Sequence, residues 1–465
     1  MTLRLTGALK YANHFQANDH GAGMRLKKEK LLTWLLLGVI LLLAFSVRIP
    51  DIGKAGLWND EAIVAAVAER PFGELLRKVR QDAHPPLFFI LQRFVRLAVG
   101  FDGWTEGTAR SISLFFGIIS IAVIYGVGRQ MISKRAGLLA AFLLAVNPMH
   151  IHYSREARNY ALLILLTLLA MLCVVLMHQR PKLRTGFFTG LVFLALIYTH
   201  SISFFVLAPL GAMLLLSFFS EKKYGQVPAL IGTAGVTFVG LLPWLPTLFS
   251  QVFQISKTAT TGSGPIEWVR PHWEKLFPWQ VPYSFGAMSH GSMPPVNNYV
   301  YELRGTVWFA LAISAFLIAV GWRYRSSWRE PWSGYLLAAG CLGSLSLLFI
   351  ASWVGTPIYT PGRVDTLALP AFILLIASGI QGVGREDYSF VRLISSSWQQ
   401  IDISLLPNQG IRQLLLWFIP VLLLTGLSVQ PIQDEIEAVR GELTLSGLSF
   451  LKNRLKFSII PYSSF

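Results

Sequence analysis

Runs of mostly apolar residues recur along this chain at a length that leaves few folds open. They cover 31–49, 108–128, 136–152, 157–177, 186–200, 202–220, 227–249, 304–321, 334–352, 363–380 and 413–429. An α-helix needs about 20 such residues to cross the hydrocarbon core of a bilayer. The runs are continuous rather than alternating, which argues against an outer-membrane barrel. Charged residues make up 14% of the 465, where a soluble domain carries about 25%. The expected fold class is therefore an all-α polytopic integral membrane protein with about 11 transmembrane helices. The first run resembles a signal-peptide core, but no small-residue cleavage site follows it, so it reads as a retained helix. Residues 1–23 lack periodicity, and Met24 opens a basic flank, Met24-Arg25-Leu26-Lys27-Lys28. The expectation is that Met24 is the true start or that the segment before it is disordered.

A formal net charge of +16 would point to nucleic acid in a soluble protein. Here Lys and Arg sit in short loops between apolar runs, so membrane orientation explains them and no nucleic-acid partner is implied. One run decides the topology. Leu87 to Gly100 is short for a span and carries Arg93 and Arg96, so it reads as an interfacial or re-entrant helix. If it does not cross, the clusters Arg129/Lys134/Arg135, Arg180/Lys182/Arg184, Lys222/Lys223, Arg323/Arg325/Arg329 and Arg385/Arg392/Arg412 are all cytoplasmic, with Arg25 to Lys30. If it does cross, every cluster after it lies outside, against the positive-inside rule.

The first arrangement divides the chain into a cytoplasmic segment 1–30, a transmembrane module 31–249 with a first outer loop 50–107, an outer loop 250–303, transmembrane helices 304–429 interrupted by a cytoplasmic segment 381–412, and an outer tail 430–465. It places positions 104 and 275 outside and 133 and 182 inside. The first outer loop is expected to hold amphipathic helices near 60–70 and 72–80. The loop 250–303 is rich in aromatics (Trp268, Trp273, Trp279, Tyr283), which suit an interfacial belt or the wall of a lipid or sugar site. The two cysteines, Cys173 and Cys341, lie in apolar runs and support neither a disulfide framework nor a zinc site.

Every polar cluster that suggests chemistry falls on the outer side. Trp58-Asn59-Asp60-Glu61-Ala62 sets two adjacent carboxylates just past the first span, where a carboxylate stays ionised at little cost beside a lipid-borne substrate. The plainer reading makes Asp60 the N-cap of the next helix. Asp82-Ala83-His84-Pro85-Pro86 follows, with a prolyl helix start as its plain reading. Between the third and fourth spans stand His152, Arg155, Glu156, Arg158 and Tyr160. Helix-dipole stabilisation accounts for Glu156 alone, but the cluster is denser than capping requires. Arg363 stands at the outer end of a span, against the positive-inside preference, either snorkelling or holding a phosphate through paired N–H bonds. His200, at a tight turn, reads as a cap.

The segments Trp58-Asn59-Asp60-Glu61-Ala62, Asp82-Ala83-His84-Pro85-Pro86-Leu87 and Tyr153-Ser154-Arg155-Glu156-Ala157-Arg158-Asn159-Tyr160 resemble those of the membrane-embedded GT-C glycosyltransferases of family 39, the protein O-mannosyltransferase and aminoarabinose-transferase type. The similarity covers residues 31–250 and continues more weakly through Arg363 and Pro370. Where that family usually has Tyr after the arginine, this chain has Val364. The resemblance implies a GT-C bundle and a sugar donor carried on polyprenyl phosphate. It implies an acceptor glycan, lipid or protein, and an inverting displacement on the extracytoplasmic face of a bacterial inner membrane. Asp60 matches the family's base and Glu156 its second acidic position. Some GT-C enzymes hold a divalent metal through such acids, with Glu156 as the candidate ligand here, whereas protein mannosyltransferases work without a metal.

The chemistry fits independently of the resemblance. The acceptor hydroxyl must lose a proton, so a carboxylate serves as general base, and Asp60 and Glu61 are the candidate catalytic residues. The leaving phosphate is already a stable anion, and cations stabilise its developing charge; His84, Arg155, Arg158, Tyr160 and Arg363 are the candidate donor or substrate contacts. On a helix, neighbouring residues point about 100° apart. Asp60 heads a stripe of Ile63, Val64 and Val67 expected to lie on the membrane, while Glu61 turns to a flank, to hold a neighbouring turn or bind the acceptor. Two rivals stand beside this reading. A lipid or glycan transporter or flippase would place ionisable residues at mid-membrane, near broken helices, and a non-catalytic partner in polysaccharide assembly would tolerate loss of Asp60.

Overall fold

Apolar runs in hydrocarbon have no water to bond their peptide groups, so each closes its hydrogen bonds within a helix. The computed structural model describes residues 5–82, 84–100, 102–222, 224–250, 288, 305–354 and 363–383, with side chains from Lys27 onward except at 305–311 and 353–354. Among the described residues every element is helical. Among the described residues six helices are long and apolar enough to cross a bilayer, or seven if the bent pair Lys134–Val146 and Pro148–Ser154 is one span; Leu183–Thr199, Ala312–Arg323 and Leu369–Val383 are shorter apolar helices. Ten of the eleven expected runs are thus helical, and the run 413–429 lies outside the described residues. The helix α1, Leu5–Arg48, extends back through the segment before Met24, where the sequence suggested disorder or an upstream false start.

The first outer loop holds α2 (Asn59–Glu69), α3 (Phe72–Arg80) and α4 (Leu87–Val99). The helix α4 has 13 residues, about 20 Å at 1.5 Å per residue, too short to cross. It also does not pass from one end of the bundle to the other. Arg110, at the start of α5 (Glu106–Met131), donates to the carbonyls of Ile52, Ala55 and Gly56, so the chain before and after α4 is at the same end. Val64 and Val67 of α2 are buried in the protein and only Ile63 is exposed, so the stripe packs mainly against neighbouring helices rather than lying on lipid.

The helices α6 (Lys134–Val146) and α7 (Pro148–Ser154) meet at 64°. Pro148 has no N–H to give the carbonyl four residues back. Arg48 answers this break. It is fully buried and donates through Nη1 to Ala145 O (2.7 Å) and through Nη2 to Leu144 O (3.3 Å), with His150 Nδ1 at 2.8 Å. The end of α1 is thereby bolted to the kink.

The helix α8 (Tyr160–Gln179) is the axis of the bundle: 78% of its span is buried, against 11% of the first span. Beside it, α9 (Leu183–Thr199) meets α11 (Val227–Leu241) through a Gly186-x-x-x-Gly190 face. A Cβ on Gly190 would lie 2.8 Å from Val236 Cβ, and Thr233 Oγ1 donates to Gly186 O at 3.1 Å. Such small-residue faces let helices approach where lipid gives no hydrophobic drive. The remaining helices are α10 (Phe204–Ser220), α12 (Gly305–Arg323), α13 (Ser333–Ala338), α14 (Ser344–Val354) and α15 (Leu369–Val383).

The described loops gather at the two ends of the bundle. At one end Gln130 donates to Gln179 (2.6 Å), Gln179 to Glu330 (2.7 Å) and Ser133 to Gln381 (2.7 Å). These lie in or beside segments assigned to the cytoplasm. At the other end the first outer loop, the α7–α8 turn, the His200 turn and Arg363 converge. The aromatic loop lies outside the described residues apart from Met288, whose carbonyl accepts from Asn147 Nδ2 at 2.7 Å.

Candidate functional site

Two adjacent carboxylates open α2, and the helix turns them to different neighbours. Trp58 is the N-cap residue, so Asp60 is not the cap. The N-terminal amides are served by Glu61, whose Oε2 accepts the Trp58 N–H at 3.3 Å, the reaching-back half of a capping box. Glu61 is 1% exposed. Its Oε1 also accepts from Arg110 Nε (2.9 Å) and from the Ala157 N–H (2.6 Å), and its Oε2 from Arg110 Nη2 (2.6 Å). Both oxygens are committed, and this carboxylate ties the first outer loop to α5 and to the α7–α8 turn.

Asp60 faces the other way, 25% exposed, at the meeting point of distant segments. Its Oδ2 lies 2.9 Å from Arg363 Nη2 and 3.3 Å from Arg158 Nη2. Arg363 Nε donates to Tyr160 Oη at 2.6 Å. The Tyr160 ring lies beside both cations, its centroid 6.0 Å from the Arg158 guanidinium carbon and 5.8 Å from that of Arg363. The arginines differ in access: Arg363 is 42% exposed and Arg158 7%. Arg363 precedes a short 3₁₀ turn, Val364–Leu367, that leads into the buried α15; Thr366 Oγ1 donates to its carbonyl (2.8 Å) and holds the bend.

His84 completes this group. Its Nε2 is 3.4 Å from Arg158 Nη2 and its Nδ1 2.9 Å from Asp82 Oδ1. A guanidinium only donates, so Nε2 accepts and Nδ1–H is given to Asp82. Burial opposes ionisation of Asp82, but the hydrogen bonds from the His84 ring and the His84 amide, with the charge of Arg158, hold its carboxyl below the usual range. The His200 ring is 5.0 Å from that of His84 and 5.9 Å from that of Tyr160. Its pKa is pushed well below the usual imidazole value by burial, then by His84, Arg158 and Arg363.

The sequence candidates thus fall into two sets. Asp60, His84, Arg158, Tyr160 and Arg363 come together. Glu61 and Glu156 turn to partners of their own. Arg155 ends α7, its amide on His152 O at 2.9 Å. Glu156 is buried with His152 Nε2 4.0 Å from its Oε2. Its pKa is raised by burial and by Glu61, against the pull of His152, Arg158 and Arg363. Glu156 and His152 are two potential ligands and not a set. Among the described residues no three His, Cys, Asp or Glu side chains converge to hold a metal ion. The sequence reading missed Arg110 and Arg48. The signal that singled out Arg363, an arginine at the outer end of a span, marks both of them.

Beside the cluster runs an apolar cleft of about 470 Å³ between α3, α4, α9 and the end of α11, lined by Phe72, Leu87, Ile90, Leu191, Tyr198 and Trp244, with Arg80 the one charged residue among the described residues of its wall. Pro86, also in its wall, is two residues from His84, and Tyr198 is two from His200.

Comparison with known proteins agrees with this architecture. Residues 83–246 match the family model described as dolichyl-phosphate-mannose-protein mannosyltransferase. Comparison with curated protein sequences gave no match. Among solved structures, the Archaeoglobus fulgidus oligosaccharyltransferase tethered with an acceptor peptide containing the NVT sequon is similar at TM-score 0.56 and 14% identity, over 88% of this chain and 55% of that one. Its apo form gives TM-score 0.51 and 13% identity, over 88% and 56%. ArnT from Cupriavidus metallidurans bound to undecaprenyl phosphate gives TM-score 0.48 and 14% identity, over 88% and 73%. This chain therefore spans somewhat over half the length of the archaeal enzyme. At such identities the likeness concerns the fold, which is the GT-C fold of a multi-pass membrane protein.

Proposed function

We propose that this GT-C chain is a membrane glycosyltransferase that moves a sugar from a polyprenyl-phosphate donor to an acceptor hydroxyl, with inversion, on the extracytoplasmic face. One observation carries the reading. A partly exposed carboxylate, Asp60, is held at one end of a helical bundle beside two arginines that come from segments 98 and 303 residues further along the chain. A carboxylate that takes a proton and cations that take a phosphate are the two needs of this displacement. The matched family description, which names a dolichyl-phosphate sugar, supports the donor class.

In this reading the phosphate of the donor lies against Arg363 and Arg158, with His84 beside it. The prenyl chain leaves along the apolar cleft under α3, where burial of each methylene is favourable by about 0.8 kcal/mol relative to water. Asp60 removes the acceptor proton as the hydroxyl oxygen bonds to the anomeric carbon, and the bond to the phosphate oxygen breaks with both its electrons. Glu61 is left with a structural part, since both its oxygens are engaged. In this reading Arg363 and the first outer loop share the extracytoplasmic side, with cytoplasmic Lys and Arg at the opposite end.

The test is turnover by the purified protein of a panel of radiolabelled polyprenyl-phosphate sugars, with glycan, lipid and peptide acceptors. Transfer from at least one donor, slowed by roughly 10²–10⁴-fold in Asp60→Asn, is the expected result. Failure to consume any donor with any acceptor class overturns the proposal.

A further inference from the structure

Two features of the arginine pair point beyond the binding of a phosphate. The first is the state of Arg158. It is buried, its Nη2 is divided between Asp60 Oδ2 at 3.3 Å and His84 Nε2 at 3.4 Å, and its Nε has no hydrogen-bond partner among the described residues. A buried guanidinium so poorly served is expensive to keep unless something else comes to it. The second is Arg363, whose Nε is fixed on Tyr160 and whose Nη2 is on Asp60. The same edge that would grip a phosphate therefore grips the base.

A carboxylate and a phosphate gathered on the same pair of guanidiniums are like charges a few ångströms apart in a partly buried site, where water screens them weakly. One must give way. The donor's phosphodiester offers two strongly accepting oxygens where Asp60 offers Oδ2, and Asp60, 25% exposed in the first turn of α2, is the partner that can turn to water.

Resting on the donor reading above, we propose that the phosphate of the donor and Asp60 compete for Arg158 and Arg363, so that arrival of the phosphate is what releases Asp60 to receive the acceptor's proton. The base is engaged while the donor is away and free when it is seated. Binding is then ordered, donor first, and Tyr160 is the pin about which Arg363 changes partners. Competition also means that part of the donor's intrinsic affinity is spent on displacing Asp60, and that removing the carboxylate returns it.

The test is binding of farnesyl phosphate, a short prenyl monophosphate, to purified protein in lipid nanodiscs. The variants are Asp60→Asn, Asp60→Ala, Arg363→Gln and Asp60→Asn with Arg363→Gln. Competition predicts that both Asp60 variants bind the phosphate more tightly than the parent, by about tenfold. It also predicts that the gain shrinks to about twofold or less when Arg363 is already Gln, because the more exposed of the two shared cations is gone. An equal gain in both backgrounds would mean a general charge effect and overturn the proposal, as would unchanged or weaker binding in the Asp60 variants. Binding without this coupling removes the competition and leaves the donor reading standing. No binding by any variant removes both.

Discussion

Replacing Glu61 with Gln separates two neighbouring carboxylates that look alike in the sequence. The substitution keeps the size of the side chain and turns one oxygen into an NH₂ group. Each oxygen now accepts two N–H donors: Arg110 Nε and the Ala157 amide on one, Arg110 Nη2 and the Trp58 amide on the other. Whichever oxygen is lost, two donors then face a third. Arg110, 8% exposed, also loses the only carboxylate in contact with it among the described residues. Stranding one partner of a buried ion pair costs about 3–5 kcal/mol, a large share of the roughly 5–15 kcal/mol that holds a domain folded. Asp60→Asn alters a pair that is open to solvent on the Arg363 side and should change stability by less than about 1 kcal/mol. The assay is the half-life of the folded, monodisperse protein at a fixed temperature in one detergent, since membrane proteins commonly unfold irreversibly. Glu61→Gln should shorten it severely and Asp60→Asn hardly at all. Adding Arg110→Met to Glu61→Gln should cost less than Arg110→Met alone, because the stranded charge is removed. Equal half-lives for Glu61→Gln and Asp60→Asn, or additive costs at 61 and 110, would refute the division of labour argued from these distances.

Other expectations follow from the same geometry. Arg363→Ala should weaken farnesyl phosphate binding by about 1.5–3 kcal/mol, the worth of one charge-assisted contact, with the elution profile of the folded protein unchanged; parental affinity would reduce Arg363 to a snorkelling residue. His200 folds with its pKa well below the unfolded value of about 6.5. The unfolded chain therefore gains the proton first, and stability is complete above that pH and lost as the pH falls through it, by up to about 1.4 kcal/mol per unit. Unfolding measured between pH 7 and 5 should show a shallower acid loss in His200→Gln than in the parent, and an unchanged slope would exclude His200 as the source. A cysteine placed at 104 should react with a membrane-impermeant maleimide in intact cells, while one at 182 should react only after permeabilisation; the reverse pattern would invert the bundle.

Much of the architecture could be read from hydrophobic length and charge bias, because both act locally. The short run at 87–100 could be refused as a span on its length and its two arginines, and the contacts of Arg110 around it show the reason in three dimensions. Asp60 and Arg363 were legible as lone charges at span ends. The difference between Asp60 and Glu61 was not, since it is fixed by Arg110, 49 residues away along the chain, and adjacency in sequence says nothing of which neighbour faces which partner. Val64 and Val67 misled for a related reason: an apolar stripe reads the same whether it meets lipid or another helix. Arg48 and the α6–α7 kink form a single feature split between two distant segments. Asn147-Pro148 announces the bend, but nothing in its vicinity announces the arginine that satisfies it.

Whether Asp60 takes the acceptor's proton is decided by single-turnover sugar transfer by Asp60→Asn at saturating donor. The substitution preserves shape and removes the base, so the account predicts transfer slowed by roughly 10²–10⁴-fold, the usual scale of general-base help, with donor still bound. Transfer near the parental rate, with donor saturation verified in the same samples, would contradict it.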